Sequence, residues 1–192
     1  FRSADFRQHA VGSLIAPLFQ YHDRARFEVY AYSLSATTDE LTEQVQQGCD
    51  HFQNIAALGT EEAARLIHQD GIHILIDLGG YTNLCRPEIL ALQPAPIQMQ
   101  YIGYPDTMGA EFVPYILADR WIIPDRLENY YTESLVALPH TFVTAPIVLP
   151  QPPTREELGL PETGVVYACF NRTDKFSPDL FARWMQILQQ VP

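Results

Sequence analysis

Asp5 and His9 are the first two side chains that could take part in catalysis. They lie between a short extended stretch and an apolar pattern with helical spacing. Because histidine titrates near neutral pH, His9 could act as a general base or bind a polar ligand, and Asp5 could orient its ring. A structural role also fits, in which Asp5 caps the helix and His9 is an ordinary residue of the first turn. Spacing alone favours the structural role.

Lys175 is a candidate for phosphate binding. It lies in the segment FNRTDKFSP, after an apolar run and before a helix that opens at Pro178. A lysine at this position can neutralise a diphosphate together with the N-terminal amides of the helix. A solvated surface lysine fits equally well. His140, in the segment LPHTF, follows a predicted strand, where ligand-binding residues tend to lie, and its position supports a functional and a structural role equally.

The stretch from Asp77 to Ala110 supplies the elements that must position these residues. An apolar strand over residues 72–76 ends in a glycine turn, and a short helix follows. A second strand, over residues 97–102, ends in another glycine turn. Ligands of open parallel sheets bind at the carboxyl ends of the strands, where such turns lie. The pattern therefore predicts a small-molecule site.

The rest of the chain alternates between short β-rich runs and helical patterns. This alternation predicts an α/β fold, with a Rossmann-like and mostly parallel sheet that helices cover on both faces. Residues 1–143 form the predicted first lobe, residues 144–163 a proline-rich linker, and residues 164–192 the opening strand and helix of a second nucleotide-binding lobe. The predicted strands are 26–34, 51–55, 72–76, 97–102, 115–119, 133–139 and 165–170. The predicted helices are 9–21, with a kink or boundary at Pro17, and 35–47, 60–69, 87–92 and 178–191.

The amino-acid composition excludes several classes of partner and binding site. Hydrophobic residues make up 47% of the 192 residues and charged residues 18%, which is typical of a soluble protein with a sizeable core. The formal charge of −11 argues against nucleic acid or an anionic membrane surface as a partner. The three cysteines are far apart, which favours reduced thiols in a cytoplasmic protein, and no metal-ligand spacing is present.

Both ends of the sequence look cut. The first five residues have the pattern of the end of a strand, and nothing follows the last helix to close a second lobe. We therefore expect the chain to be a fragment of a longer protein, called the parent protein below.

Several ordered segments together resemble one known family. They are IHQDGIHILIDLGGYT, RPEILALQPAPIQMQYIGYPDTMGA, YILAD, LPHTF and ACFNRTDKFSPDLFARWMQILQQVP. They resemble the catalytic region of O-linked N-acetylglucosamine transferases and SPINDLY-type proteins, which form glycosyltransferase family 41. The resemblance covers essentially the whole chain and is closest to the bacterial members.

The resemblance implies an inverting, metal-independent enzyme of the GT-B type, with its active site between two Rossmann-like lobes. Such enzymes transfer N-acetylglucosamine from UDP-GlcNAc to serine or threonine hydroxyls of proteins, and they need no cofactor. The family carries tetratricopeptide repeats before this region, and its second lobe holds most of the UDP pocket. The isolated chain is accordingly expected to be inactive.

The resemblance also assigns roles to residues. Asp5 and His9 match the aspartate and histidine proposed for proton handling and sugar contact, and Lys175 matches the lysine that contacts the donor diphosphate. The turn that contains Ile102, Gly103 and Pro105, and the segment His140, Thr141 and Phe142, match two stretches beside the donor sugar.

This chain departs from the family pattern before the lysine, where Arg172 and Asp174 replace the usual glutamine or asparagine and tyrosine. These changes add a cation and an anion near the expected donor and make Arg172 a further candidate for substrate binding. Two alternatives stay open. One is a SPINDLY-like O-fucosyltransferase that uses GDP-fucose, and the other is a non-catalytic interaction domain.

Overall fold

The computed structural model describes residues 1–143 and 151–191, and the chain divides into two compact units, Phe1–Pro146 and Ile147–Pro192. Within the described residues, the strands are β1 Arg2–Ser3, β2 Tyr30–Ser33, β3 His51–Asn54, β4 Ile74–Asp77, β5 Ile97–Tyr101, β6 Tyr115–Ala118 and β7 Ser134–Ala137. The α-helices are α1 Ala10–Ile15, α2 Glu40–Gly48, α3 Thr60–Gln69, α4 Glu88–Ala91, α5 Asp125–Glu128 and, in the second unit, α6 Pro178–Gln190.

The strands of the first unit form one sheet, in the order β3-β2-β1-β4-β5-β6-β7, and every pair is parallel. This confirms the predicted parallel α/β sheet. The chain first adds β2 and β3 on one side of β1 and then adds β4 to β7 on the other side. The order therefore reverses between β1 and β4, which is the topological switch point. All carboxyl ends lie along one side of the sheet, called the carboxyl edge below.

Apolar side chains cover both faces of this sheet. The neighbours Ala31 and Tyr32 on β2 are both fully buried, and they point to opposite faces because side chains alternate along a strand. Tyr32 belongs to the core cluster that contains Ile67 of α3, whereas Ala31 belongs to the cluster that contains Ile15 of α1 and Val45 of α2. Burial on both faces makes the sheet a firm base for the loops of its carboxyl edge.

Pro17 divides the helix that was predicted over residues 9–21. The α-helix ends at Ile15 and continues as a 3₁₀ helix over Ala16–Tyr21, which has the proline near its start. Proline has no N–H to donate to the preceding turn, so the regular α-helical ladder cannot pass through it.

Residues 165–170 form no strand, although their apolar run predicts one. A strand is defined by its partner, and within the described residues every ladder joins strands of the first unit. Val165 and Phe170 are exposed, Phe170 almost completely. The following helix α6 forms as predicted. Of the predicted linker, residues 144–150 lie outside the described residues, and the assignment of lobes and linker stays a prediction.

Candidate active site

The carboxyl edge brings together most of the residues singled out in the sequence. Asp5 and His9 follow β1, the turn that starts at Ile102 follows β5, and the segment that starts at His140 follows β7. The glycine turn at Gly79 follows β4, the partner of β1 at the switch point. Ligands of doubly wound sheets bind in the crevice at this point, so the placement fits a binding site.

His9 is itself the N-cap of α1, so the sequence argument that gave this role to Asp5 was wrong. The backbone N–H of Val11 donates to Nδ1 of His9 at 3.2 Å. An N–H group cannot be an acceptor, so Nδ1 carries no proton while this bond exists, and neutral His9 carries its proton on Nε2. The His9 side chain is 43% exposed, and Nε2 has no hydrogen-bond partner among the described residues. The Nε2–H group of His9 is therefore available as a hydrogen-bond donor to a ligand.

Asp5 is paired with an arginine rather than with His9. Its buried carboxylate lies 3.0 Å from Nη2 of Arg7, whereas Oδ2 is 3.6 Å from Nδ1 of His9, which is beyond hydrogen-bond distance. Arg7 also donates from Nε to the carbonyl of Ala4 at 3.2 Å. Arg7 is not predicted from the sequence, because a charged residue in a loop has no distinguishing pattern.

Helix α2 holds the loop between β1 and α1 in place. Asp39, the N-cap of α2, accepts a hydrogen bond from the backbone N–H of Gln8 at 2.5 Å. Thr42, in the first turn of α2, donates from its hydroxyl to the carbonyl of Phe6 at 2.6 Å. The cap of one helix thus fixes the loop that carries the candidate catalytic residues.

The turn after β5 has a strained backbone. Ile102 has a φ of 62°, in the left-handed region that β-branched residues rarely adopt. The next residue, Gly103, lies so close to the loop after β4 that a Cβ atom there would be 2.0 Å from the carbonyl oxygen of Leu78. A Cβ atom on Gly80 would likewise be 2.4 Å from Cβ of Tyr104. Strain of this kind persists where neighbouring structure over-determines it, and it is common at binding sites.

A buried ion pair anchors the loop after β4. The Arg2 and Asp77 side chains are fully buried, and Nε of Arg2 donates to Asp77 at 2.9 Å. The other arginine nitrogens donate to the carbonyls of Cys85 at 2.5 Å and Arg86 at 2.9 Å, and Asp77 accepts from the N–H of Gly80 at 2.7 Å. The pair therefore ties both ends of the loop over residues 78–86 to the central strands.

Asp119, just after β6, positions the segment that begins at His140. It accepts hydrogen bonds from the backbone N–H groups of Trp121 at 2.8 Å and Phe142 at 2.6 Å. The hydroxyl of Tyr101 donates to the carbonyl of Phe142. The backbone of Phe142 is thus held from both sides. His140 and Thr141 are exposed.

Lys175 and Arg172 belong to the second unit. The guanidinium of Arg172 forms two parallel bonds to Asp174, of 3.0 and 3.1 Å. The extra cation and the extra anion noted in the sequence therefore neutralise each other. The ammonium of Lys175 has no ion-pair or hydrogen-bond partner among residues 1–143 and 151–191, and Ser177 caps the adjacent helix α6 by accepting from the N–H of Leu180 at 3.2 Å. The ammonium of Lys175 is therefore available to a ligand.

Within the described part of the chain, no cluster of three or more histidine, cysteine, aspartate or glutamate side chains could hold a metal ion. The expectation that the reaction needs no metal stays a prediction. The described helices also include none that is long and apolar enough to cross a membrane.

We expect acid to weaken the carboxyl edge through Asp119. Hydrogen bonds from the N–H groups of Ile122, Phe142 and Trp121 lower the pKa of Asp119 below its ordinary value of 3.8. A lowered folded-state pKa gives stability that is complete above the unfolded value and is lost as the pH falls through the folded value. The urea midpoint of the wild type should therefore exceed that of Asp119→Asn above about pH 5, and the difference should disappear in stronger acid.

An exposed carboxylate provides the control for this acid prediction. Asp125→Asn removes a charge from a side chain that is 91% exposed, so its midpoint should follow that of the wild type at every pH. A constant difference between the wild type and Asp119→Asn down to the lowest pH would contradict the prediction.

Comparison with known proteins yields one family. The model of a family described as glycosyl transferase family 41 matches residues 1–148. Over 99% of this chain, the sequence is 38% identical to the Arabidopsis thaliana protein named SEC, a probable UDP-N-acetylglucosamine–peptide N-acetylglucosaminyltransferase, of which it covers 20%. Over 73% of the chain it is 43% identical to the Caenorhabditis elegans UDP-N-acetylglucosamine–peptide N-acetylglucosaminyltransferase, of which it covers 12%.

A solved structure agrees with these relatives. A variant of the Thermobaculum terrenum O-GlcNAc transferase superposes with a TM-score of 0.86 at 29% identity, over 99% of this chain and 36% of that one. The chain spans about a fifth of the length of the SEC protein. The similarity therefore concerns one region of larger proteins.

Proposed function

The chain belongs to glycosyl transferase family 41, and from this premise we propose that the parent protein is a protein O-GlcNAc transferase. It would transfer N-acetylglucosamine from UDP-GlcNAc to serine or threonine hydroxyls of acceptor proteins, with inversion and without a metal. The observation that carries the proposal is the carboxyl edge of the sheet with its switch point, where His9, the turn at Ile102 and the segment at His140 all follow strands. The names of the relatives support the same donor and a peptide acceptor.

The proposed reaction is a single displacement at the anomeric carbon of the sugar. The acceptor hydroxyl oxygen forms a bond to this carbon, the bond from the carbon to the phosphate oxygen breaks, and UDP leaves with the electron pair. The hydroxyl proton passes to a base or to solvent. Negative charge develops on the diphosphate, and the ammonium of Lys175 would stabilise it in place of a metal ion.

His9 would act as a hydrogen-bond donor rather than as the base. Its Nδ1 already accepts from Val11, so the exposed Nε2–H would donate to an oxygen of the sugar or of the acceptor. Asp5, held and neutralised by Arg7, would lie beside the ring without bonding to it. The geometry thus favours the contact role over the removal of the acceptor proton.

Replacing His9 with asparagine and with alanine should separate its two roles. Asparagine is a good N-cap, so His9→Asn should leave the unfolding free energy nearly unchanged, whereas His9→Ala should lose about 1 kcal/mol. Both variants remove the ring donor, so kcat/KM of the parent protein should fall by about 10- to 100-fold in each. A general base would cost more, about 10²- to 10⁴-fold. Full activity of His9→Asn would contradict the contact role.

Donor binding tests the function itself. Calorimetric titration of the parent protein with UDP-GlcNAc should give saturable binding, and the parent protein should transfer labelled N-acetylglucosamine to protein acceptors. Binding and transfer from GDP-fucose instead would assign a SPINDLY-like activity. Binding of neither nucleotide sugar would favour a non-catalytic interaction domain.

We further propose that the parent protein works in the cytoplasm. All three cysteines are free, and two of them are at least partly buried, which is consistent with a reducing compartment.

A further inference from the structure

Asp5 lies between two side chains, those of Arg7 and His9, that could each donate a hydrogen bond to its carboxylate. Arg7 donates to Oδ1 at 3.0 Å, and Nδ1 of His9 is 3.6 Å from Oδ2. The carboxylate is buried, with its side chain only 8% exposed, and its backbone N–H donates to the hydroxyl of Ser3 at 2.9 Å. A small rotation of this carboxylate would bring Oδ2 within bonding distance of His9.

The two possible partners of His9 require different tautomers. Nδ1 must be unprotonated to accept from Val11, as it does at 3.2 Å, and it must be protonated to donate to Asp5. Because one nitrogen cannot do both, the position of the Asp5 carboxylate selects which nitrogen of the neutral ring carries the proton. A carboxylate within reach of Nδ1 would favour the Nδ1–H form, because hydrogen bonds to charged groups are stronger than neutral ones.

We propose that Arg7 is a positioning residue that holds Asp5 away from His9 and so keeps the proton of the neutral ring on Nε2. Two bonds fix the guanidinium itself, one from Nε to the carbonyl of Ala4 and one from Nη2 to Asp5. Its side chain is 31% exposed, so it lies over the carboxylate at the boundary with solvent. Arg7 thereby decides whether His9 presents a donor or an acceptor to the crevice.

The consequence for catalysis rests on the proposed function. With Arg7 in place, His9 donates to a substrate oxygen. Without it, Asp5 would bond to Nδ1–H, the cap on α1 would open, and an unprotonated Nε2 would face the crevice. The substrate would lose a donor and gain a basic nitrogen, which should lower kcat and change the dependence of kcat/KM on pH.

The tautomer can be read directly by nitrogen NMR. The chain is labelled with ¹⁵N-histidine, the ring signals of His9 are assigned by their loss in His9→Asn, and spectra are recorded in mildly alkaline solution. In the wild type, Nδ1 should have the shift of an unprotonated nitrogen and Nε2 that of a protonated one. In Arg7→Gln the tautomer ratio should move toward Nδ1–H by about tenfold or more.

Two further variants make the test specific. Arg65→Gln, the same change at an exposed position of α3, should leave the ratio unchanged. Adding Asp5→Asn to Arg7→Gln should restore the Nε2–H form, because the effect requires the carboxylate. Nδ1–H in the wild type, no change in Arg7→Gln, or a shift that persists in the double variant would each overturn the proposal.

The tautomer measurement does not depend on transferase activity. A parent protein that binds no nucleotide sugar would overturn the proposed function and leave the role of Arg7 standing. If the parent protein is active, Arg7→Gln should lower its kcat more than it changes the KM for the donor. An unchanged kcat and pH profile, despite a changed tautomer, would show that His9 does not donate to the substrate.

Discussion

Replacing Lys175 with alanine in the parent protein is expected to lower kcat by about 10²- to 10³-fold, with a smaller change in the KM for the donor. The charge on the departing diphosphate develops in the transition state, so a cation aimed at it contributes to the chemical step more than to binding. Lys175 is the only lysine in the 192 residues, and its ammonium has no partner in the described part of the chain. Single-turnover kinetics with UDP-GlcNAc would measure the loss directly.

Arg172 offers a matched control three residues earlier. It is also an exposed cation, but both of its bonds go to Asp174, which cancels most of its charge. Arg172→Ala should therefore change kcat by less than about tenfold, and it should weaken donor binding somewhat, because it leaves the carboxylate of Asp174 unpaired. Asp174→Ala should free the arginine and strengthen donor binding. Near-normal turnover in Lys175→Ala, or equal losses in Lys175→Ala and Arg172→Ala, would contradict the phosphate role of Lys175.

The sequence predicts the sheet because local signals and tertiary burial agree there. Parallel strands that are buried on both faces give apolar runs bounded by glycine and proline, and β4 and β6 follow this pattern, whereas Gln98 and Gln100 interrupt the apolar residues of β5. The run at residues 165–170 has the same pattern without a partner strand among the described residues, and it forms none. An apolar run therefore shows that a segment is able to form a strand. Whether it does so depends on a partner strand from a distant part of the chain.

The contacts that shape the candidate site are long-range, which is why the sequence reveals few of them. Arg2 and Asp77 are 75 positions apart, and Asp119 and Phe142 are 23 apart. A fully buried arginine is rare unless it is paired, and nothing local indicates its partner. Two features of the sequence are consistent with these contacts. Arg2 and Asp77 carry opposite charges on neighbouring strands, and Asp119 directly follows β6, where its carboxylate can cap the next turn.

Buried polar side chains hold most of the carboxyl edge in place. Besides Asp77 and Asp119, Gln100 of β5 donates to the carbonyl of Asp106, in the loop that follows this strand, at 2.7 Å. Each of these side chains fixes backbone in a loop rather than in a strand. A binding site needs its groups fixed before the ligand arrives, and such a supporting layer provides this. The loops at this edge are therefore expected to show strong protection from hydrogen exchange.

Removal of the Asp77 carboxylate should have the largest effect on stability, about 3–5 kcal/mol of unfolding free energy in Asp77→Ala. The loss leaves the guanidinium of Arg2 buried without its counter-charge and leaves the N–H of Gly80 without its acceptor. Urea unfolding of the chain, followed by far-ultraviolet circular dichroism, measures the change. Asp125→Ala, which removes an exposed carboxylate from Arg120, should move the midpoint little.

The double variant Arg2→Met/Asp77→Leu distinguishes the cost of an unpaired charge from the value of the pair. Replacing both partners of a buried ion pair with apolar residues of similar volume is often nearly neutral. Here the carbonyls of Cys85 and Arg86 would still lose their donors, so the double variant should recover only part of the loss. Amide exchange should then be fast over residues 78–86 and at the turn after β5, which packs on this loop through Gly103. A double variant as unstable as Asp77→Ala would show that the unpaired charge of Arg2 is not the source of the loss. Fully protected amides in this loop would show that the Arg2–Asp77 pair does not anchor it.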